Sequence, residues 1–233
     1  MKIGVVYTST TPELTRMVDE SLAAVFDGRA DIELLHYQNP SILQAARDSG
    51  RVTAKCARDL MDLYEAAVRD GANVLLNVCS SVGDVAEAAK PLYALMGVPL
   101  VRIDEDMARS AVRSARRIGV VATLPTTLEP TKRLLEKCAR EEGVSVALVD
   151  ALAEGVFGAD QELFRQKLIE TGGRVRDRVD ALLFAQGSMA YAERAVSEAL
   201  DVPVFSSIRF GAQAVRAAAD ALHPQHPAGS RSE

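Results

Sequence analysis

KIGVVYT, residues Lys2–Thr8, recurs as RIGVVAT at Arg117–Thr123, with five of the seven positions identical. Each copy is a short apolar run rich in β-branched residues, as expected of a strand buried on both faces. One match between valine-rich strands carries little weight, but two more follow in the same order. DGANVLLNVC from Asp70 pairs with DRVDALLFAQ from Asp177, and MGVPLV from Met96 pairs with LDVPVF from Leu200. The offset between copies shrinks slowly along the chain, as a few small deletions would produce. Three ordered matches predict a duplicated chain.

Around these anchors, apolar runs alternate with helical stretches, the pattern of βαβ units and a largely parallel sheet. Strands are expected at Lys2–Tyr7, Asp31–Tyr37, Val74–Cys79 and Val98–Ile103, then at Arg117–Thr123, Ser145–Asp150, Ala181–Ala185 and Val202–Ser206. Helices are expected between them, among them Pro12–Phe26, Ala54–Arg69, Asp84–Met96 and Thr127–Glu142. The fold class is therefore α/β, with two pseudo-symmetric halves. Residues 1–113 with 204–223 form the first half and 114–203 the second, and the Pro- and Gly-containing tail 224–233 is expected to be disordered. Ligands of open parallel sheets sit beyond the carboxyl ends of the strands, so two facing halves would enclose one shared cleft.

The bulk numbers narrow the function classes. With 48% hydrophobic and 25% charged residues the chain reads as an ordinary soluble globular protein. A net charge of −5 without a basic stripe argues against a nucleic-acid partner. No apolar run approaches the roughly 18 residues needed to span a bilayer, so no membrane role is expected. Met1 leads directly into the first strand, so no secretory leader is expected. Cys56, Cys79 and Cys138 lack metal-like spacing and, like the three histidines, suggest no metal site. Reduced thiols and a cytoplasmic location fit these features. Self-association, as a homodimer or a higher homo-oligomer, is an open possibility.

The strand ends hold the candidate chemistry. TSTTP (Thr8–Pro12) and TLPTT (Thr123–Thr127) are hydroxyl-rich loops at matching points of the two halves. Such loops at helix starts serve either as plain caps or, with backbone N–H groups, as anion cradles; the paired placement favours the second reading. Cys79 ends the run VLLNVC and is followed by Ser80, Ser81, Val82 and Gly83. A thiol beside a helix start is expected to have a lowered pKa, whereas a buried structural cysteine is a small hydrophobe. Cys56 and Cys138 fall within helices and read as packing residues.

The strand ending in NVCSS, together with the opening KIGVVYTSTTPE, the VPLVRID strand and the GVVATLPTT turn, resembles the aspartate/glutamate/hydantoin racemase superfamily, which also includes maleate isomerase and arylmalonate decarboxylase. The resemblance covers nearly the whole chain and implies Rossmann-like or flavodoxin-like halves. It implies chemistry without metal or organic cofactor at the α-carbon of a small carboxylate or amino-acid substrate. One cysteine on each face of that carbon would take and return the proton. Cys79 matches the first cysteine. Carboxylate binding would fall to Ser9, Thr10, Asn77, Ser80, Ser81, Thr123 and Thr126, with Gly187. The second cysteine has no counterpart: counting from Asp177 as from Asp70 places Gln186 there, and a looser match to the family's Gly-Cys pair selects Ser188. Neither side chain is a competent base near neutral pH. The reading is a racemase or isomerase in which Gln186 or Ser188 replaces the second thiol; the alternatives are a single-cysteine decarboxylase or lyase and a non-catalytic binder of small acids.

Overall fold

The computed structural model describes residues 1–27, 31–156 and 160–222; the tail 224–233 lies outside the described residues. The first sheet comprises β1 (Lys2–Tyr7), β2 (Glu33–Gln38), β3 (Val74–Asn77) and β4 (Leu100–Arg102), in the order β2-β1-β3-β4. The second comprises β5 (Arg117–Ala122), β6 (Ala147–Leu152), β7 (Ala181–Phe184) and β8 (Val204–Phe205), in the order β6-β5-β7-β8. Every strand pairing is parallel. The α/β fold class and the duplication are thus observed, each half having the same topology. Two strands begin and end later than expected, β2 and β6, and β8 is only two residues long.

The register repeats as well. Ile3 is paired with Val74 in the first sheet, and Ile118 with Ala181 in the second. Cys79 and Gln186 stand the same number of residues beyond Val74 and Ala181, so they leave equivalent strands. Closing bonds match too. The N–H of Val78 donates to Val6 O, and that of Ala185 to Val121 O. The amides of Lys2 and Arg117 donate to Asn73 and Asp180 side chains at the opposite strand ends.

The repeated glycine of the IGVV motif has a packing reason. A Cβ on Gly4 would stand 2.8 Å from Ala67 Cβ, and one on Gly119 would stand 2.6 Å from Leu182 Cδ2. Both strands need a residue with no side chain where a neighbour presses on the sheet.

Helices cover both faces of each sheet. On the first sheet lie α1 (Pro12–Val25), α2 (Pro40–Asp48), α3 (Ala54–Arg69) and α4 (Gly83–Leu95), whereas α5 (Glu105–Ser114) packs Met107, Ala108, Ala111 and Val112 against Ile118 and Val120 of the second sheet. The second sheet also carries α6 (Pro125–Glu141), α7 (Gln161–Gly173) and α8 (Glu193–Leu200), and α9 (Ser207–Leu222) ends the described chain. Alternation along β1 sends Ile3, Val5 and Tyr7 into a core with Leu14, Val18 and Leu22 of α1 and Ala212, Val215 and Ala219 of α9. Val6 points the other way, among Leu60, Tyr64 and Ala67 of α3. The last helix therefore packs on the first sheet. α1 starts as its sequence suggests, with Pro12 in the first turn and Thr11 Oγ1 accepting from the Leu14 amide at 3.2 Å.

The halves meet through α6. Arg133 donates to Asp84, and Lys137 pairs with Glu87 and Glu105. Arg109 of α5 grips Glu141 and Glu142 at the far end of α6.

Candidate active site

A cleft of about 510 Å³ lies at the carboxyl ends of β1 and β3 from one sheet and of the equivalent β5 and β7 from the other. This is where strand order reverses in each sheet, the usual ligand position of the architecture. Ser9 and Thr10 enter it after β1, and Cys79, Ser80 and Ser81 after β3. Leu124 and Thr127 enter after β5, and Gln186, Gly187 and Ser188 after β7.

Cys79 is half-buried at the N-cap of a short 3₁₀ turn, Ser80–Val82, that leads into α4. Its backbone is held from behind. Asn77 Nδ2 donates to the Cys79 carbonyl at 3.0 Å, and Tyr64 donates its hydroxyl to Asn77 Oδ1 at 3.0 Å. Asn77 is thus a support of the turn, outside the cleft lining. Deeper still, the Arg102 guanidinium is 2% exposed and donates twice to Asp104, which is 1% exposed.

The expectation of a lowered thiol pKa is corrected. Removal from water pushes the Cys79 thiol up, and this outweighs the hydrogen bonds that hold it down. Those come from the Thr8 hydroxyl, the backbone amides of Val82 and Ser81, and the Ser81 hydroxyl. The donors predicted from a helix start are present; the apolar surroundings, which no local sequence pattern reports, decide the sign. Thr8 Oγ1 and Ser80 Oγ are buried and otherwise unpartnered. Ser80 lines the cleft, so its hydroxyl stands ready for a ligand, at a desolvation cost of roughly 1–3 kcal/mol while unmade.

The second half repeats the arrangement with a different side chain. Gln186 caps the 3₁₀ turn Gly187–Ala192 as Cys79 caps its own. Gln186 Oε1 accepts from both the Thr123 amide and the Thr123 hydroxyl, each at 2.8 Å. Thr123 is thereby turned towards Gln186 and lies outside the cleft lining. Thr126 also lies outside it; the neighbouring Thr127 enters instead and shares a 2.8 Å hydrogen bond with Ser81 Oγ across the two halves. One helical position rotates a side chain by about 100°, enough to exchange core for cleft. Of the other two thiols, Cys56 and Cys138 are packed in the cores, and burial pushes Cys138 up to about 11.

Several lining residues escaped the sequence reading. Glu13 and Leu14 come from the first turn of α1, and Asp160, Gln161 and Phe164 from the start of α7. Asp160 is a readable N-cap, its Oδ1 accepting from the amides of Glu162 and Leu163 at 3.1 and 3.0 Å. Nothing local says that this helix start reaches the cleft. Among the described lining residues the carboxylates are Glu13 and Asp160, and none is Lys or Arg. No group of three or more His, Cys, Asp or Glu able to hold a metal occurs among the described residues. No described helix is long and apolar enough to cross a membrane.

Two parallel four-stranded sheets whose matched strand ends enclose a thiol, hydroxyls and turn amides define a duplicated α/β protein with one small-ligand cleft. The match to the Asp/Glu/Hydantoin racemase family model runs over residues 3–215, and the chain belongs to that family. Allantoin racemase from Klebsiella pneumoniae shares the fold with a TM-score of 0.68 and 19% identity, over 99% of this chain and 96% of that one. Glutamate racemase from Francisella tularensis, solved with D-glutamate, gives 0.66 and 12%, over 97% and 84%. Aspartate racemase from Picrophilus torridus gives 0.66 and 16%, over 94% of each chain. No curated protein sequence matches the chain.

Proposed function

We propose that this protein is a cysteine-dependent isomerase that moves a proton at the α-carbon of a small carboxylic acid, amino acid or hydantoin, without metal or organic cofactor. The observation that carries the reading is Cys79: a cleft-facing thiol at a strand end, bonded by the Thr8 hydroxyl and beside the unpartnered buried hydroxyl of Ser80. Family membership supports racemisation as the reaction type. Burial favours the neutral thiol, so the base is the thiolate left once its proton has passed to water, and the thiol is the acid that returns one. Ser9, Thr10, Ser80, Ser81 and Thr127 supply hydroxyls for the substrate's acidic end, joined by the backbone amides of Gly187 and Ser188.

The charge of the cleft speaks to the substrate. Glu13 and Asp160 are unfavourable neighbours for a second carboxylate, and no lysine or arginine among the described lining residues offsets them. Leu14, Met17, Leu124, Phe164 and Tyr191 add apolar wall. The reading is a substrate with one acidic end and a neutral or cationic remainder, such as a hydantoin or a monocarboxylic amino acid, in preference to aspartate or glutamate.

Incubation in deuterated water with alanine, lysine, aspartate, glutamate, allantoin and 5-methylhydantoin tests this, with α-proton loss followed by NMR. Exchange above the uncatalysed rate, abolished in Cys79→Ser at an unchanged melting temperature, is expected. Exchange that persists in Cys79→Ser would remove the thiol from the mechanism. A second reading, decarboxylation with protonation on one face, is favoured by the carboxamide of Gln186 where a second thiol would stand. Release of CO2 from a malonate probe such as phenylmalonate, with no exchange of the amino acids, would select it.

A further inference from the structure

Thr8 and Thr123 are equivalent residues of the repeat, and so are Cys79 and Gln186. In the first half the Thr8 hydroxyl acts on the thiol. In the second the Thr123 hydroxyl and amide both bond to the Gln186 carboxamide oxygen, at 2.8 Å each. Gln186 Oε1 therefore occupies the role of the sulfur, and the rest of the carboxamide extends past it. The assignment of oxygen and nitrogen follows from chemistry. A backbone N–H only donates, so the atom facing Thr123 must be the acceptor, and Nε2 is left as the free end. Gln186 lines the cleft, and its Nε2 has no hydrogen-bond partner among the described residues.

We propose that Gln186 is a catalytic hydrogen-bond donor, fixed by Thr123, that holds the substrate oxygen on which negative charge develops, and that protons are consequently handled on the Cys79 side alone. This rests on the reading of Cys79 as the proton carrier. The reactive form of Cys79 is the thiolate that has released its proton to water; it takes the α-proton, so that an S–H bond forms as the C–H bond breaks. The released electron pair moves into the carbonyl or carboxylate unit as an enolate. Gln186 donates a hydrogen bond to that oxygen and transfers no proton, because a carboxamide neither gains nor loses one in the accessible pH range. The thiol then returns its hydrogen, exchanged with solvent, to the face from which it came. A preorganised donor of this kind acts mainly in the transition state, since Thr123 has already oriented it.

The test is stereochemical. Both enantiomers of each chiral probe, alanine, lysine, aspartate, glutamate, allantoin and 5-methylhydantoin, are incubated with the native protein in deuterated water and analysed for label and configuration. Label incorporated with retention, faster than inversion, is expected. Gln186→Leu and Gln186→Glu should each lower kcat for exchange by about 100- to 1000-fold with a much smaller change in KM. Gln186→Glu keeps an oxygen for Thr123, so its loss would report the missing donor and not a damaged turn. Gln186→Cys should convert exchange with retention into racemisation. Native inversion as fast as exchange, or either donor-free variant within about threefold of native, would overturn the proposal while leaving the Cys79 reading intact. Exchange surviving in Cys79→Ser would instead sink the Cys79 reading. If no probe exchanges, the side-chain amide resonances of Gln186 are followed as the same probes are added. Displacement by a probe, relieved by competition with a second, supports the donor role; resonances that never move overturn it.

Discussion

Gly83→Ala is a sharper probe of the site than its conservative appearance suggests. Gly83 has helical angles, φ −57° and ψ −32°, so backbone preference alone predicts that alanine stabilises by about 0.4–1 kcal/mol. Packing opposes this. A Cβ there would lie 2.3 Å from Arg102 Nη2 and 2.7 Å from Cζ, against ordinary contacts of roughly 3.5 Å, so about 1 Å must be found. Either Arg102 leaves its double hydrogen bond with Asp104, or the turn from Cys79 to Gly83 moves. Breaking a buried pair costs about 3–5 kcal/mol, whereas overpacking with a local backbone shift costs about 1–3 kcal/mol. The turn yields. With the propensity gain subtracted, destabilisation is about 1–2 kcal/mol, a fall of roughly 2–8 °C in melting temperature for a chain of this size. Cys79 rides on the same turn, and a displacement of about 1 Å can cost 100-fold in rate. Calorimetry gives the first number; α-deuterium exchange and Cys79 alkylation give the second. In an Arg102→Met, Asp104→Leu background the methyl meets no guanidinium, and the penalty should shrink to below about 1 kcal/mol. Native melting and native Cys79 reactivity in Gly83→Ala would refute the argument that Arg102 braces the turn.

The remaining expectations are briefer. Tyr64→Phe leaves the buried Asn77 Oδ1 without its donor and should destabilise by about 1–3 kcal/mol, with slower Cys79 chemistry; an unchanged unfolding midpoint in urea would contradict it. Thr127→Val removes the 2.8 Å link to Ser81 between the halves and should cost about 1 kcal/mol while weakening binding of a carboxylate probe, read by calorimetric titration. Because burial raises the Cys79 pKa, its thiolate fraction should keep growing with pH, and its alkylation rate should still be climbing where that of a free cysteine levels off. A plateau by pH ~7 would show that the hydrogen bonds outweigh desolvation. Thr11→Ala removes the cap of α1 and should lower stability by about 1 kcal/mol, measured by thermal unfolding.

The duplication was legible before any coordinate because strands buried on both faces leave an almost uninterrupted apolar signature, and their repeated glycine is demanded by packing at Gly4 and Gly119. For the same reason the count from Asp177 reached Gln186, whose strand is paired as the Cys79 strand is. Local chemistry in sequence thus determined the two α/β halves, the strand-end loops and the position of the thiol. Tertiary structure alone decided that Thr127 and not Thr126 enters the cleft, that the start of α7 lends Asp160 and Phe164 to its wall, and that Thr123 takes hold of the Gln186 oxygen. It also reversed the sign of the shift at Cys79. Capping donors are set by neighbours in the chain and can be read from it. Desolvation and side-chain direction sum over residues brought together from both halves, and no stretch of sequence contains that sum.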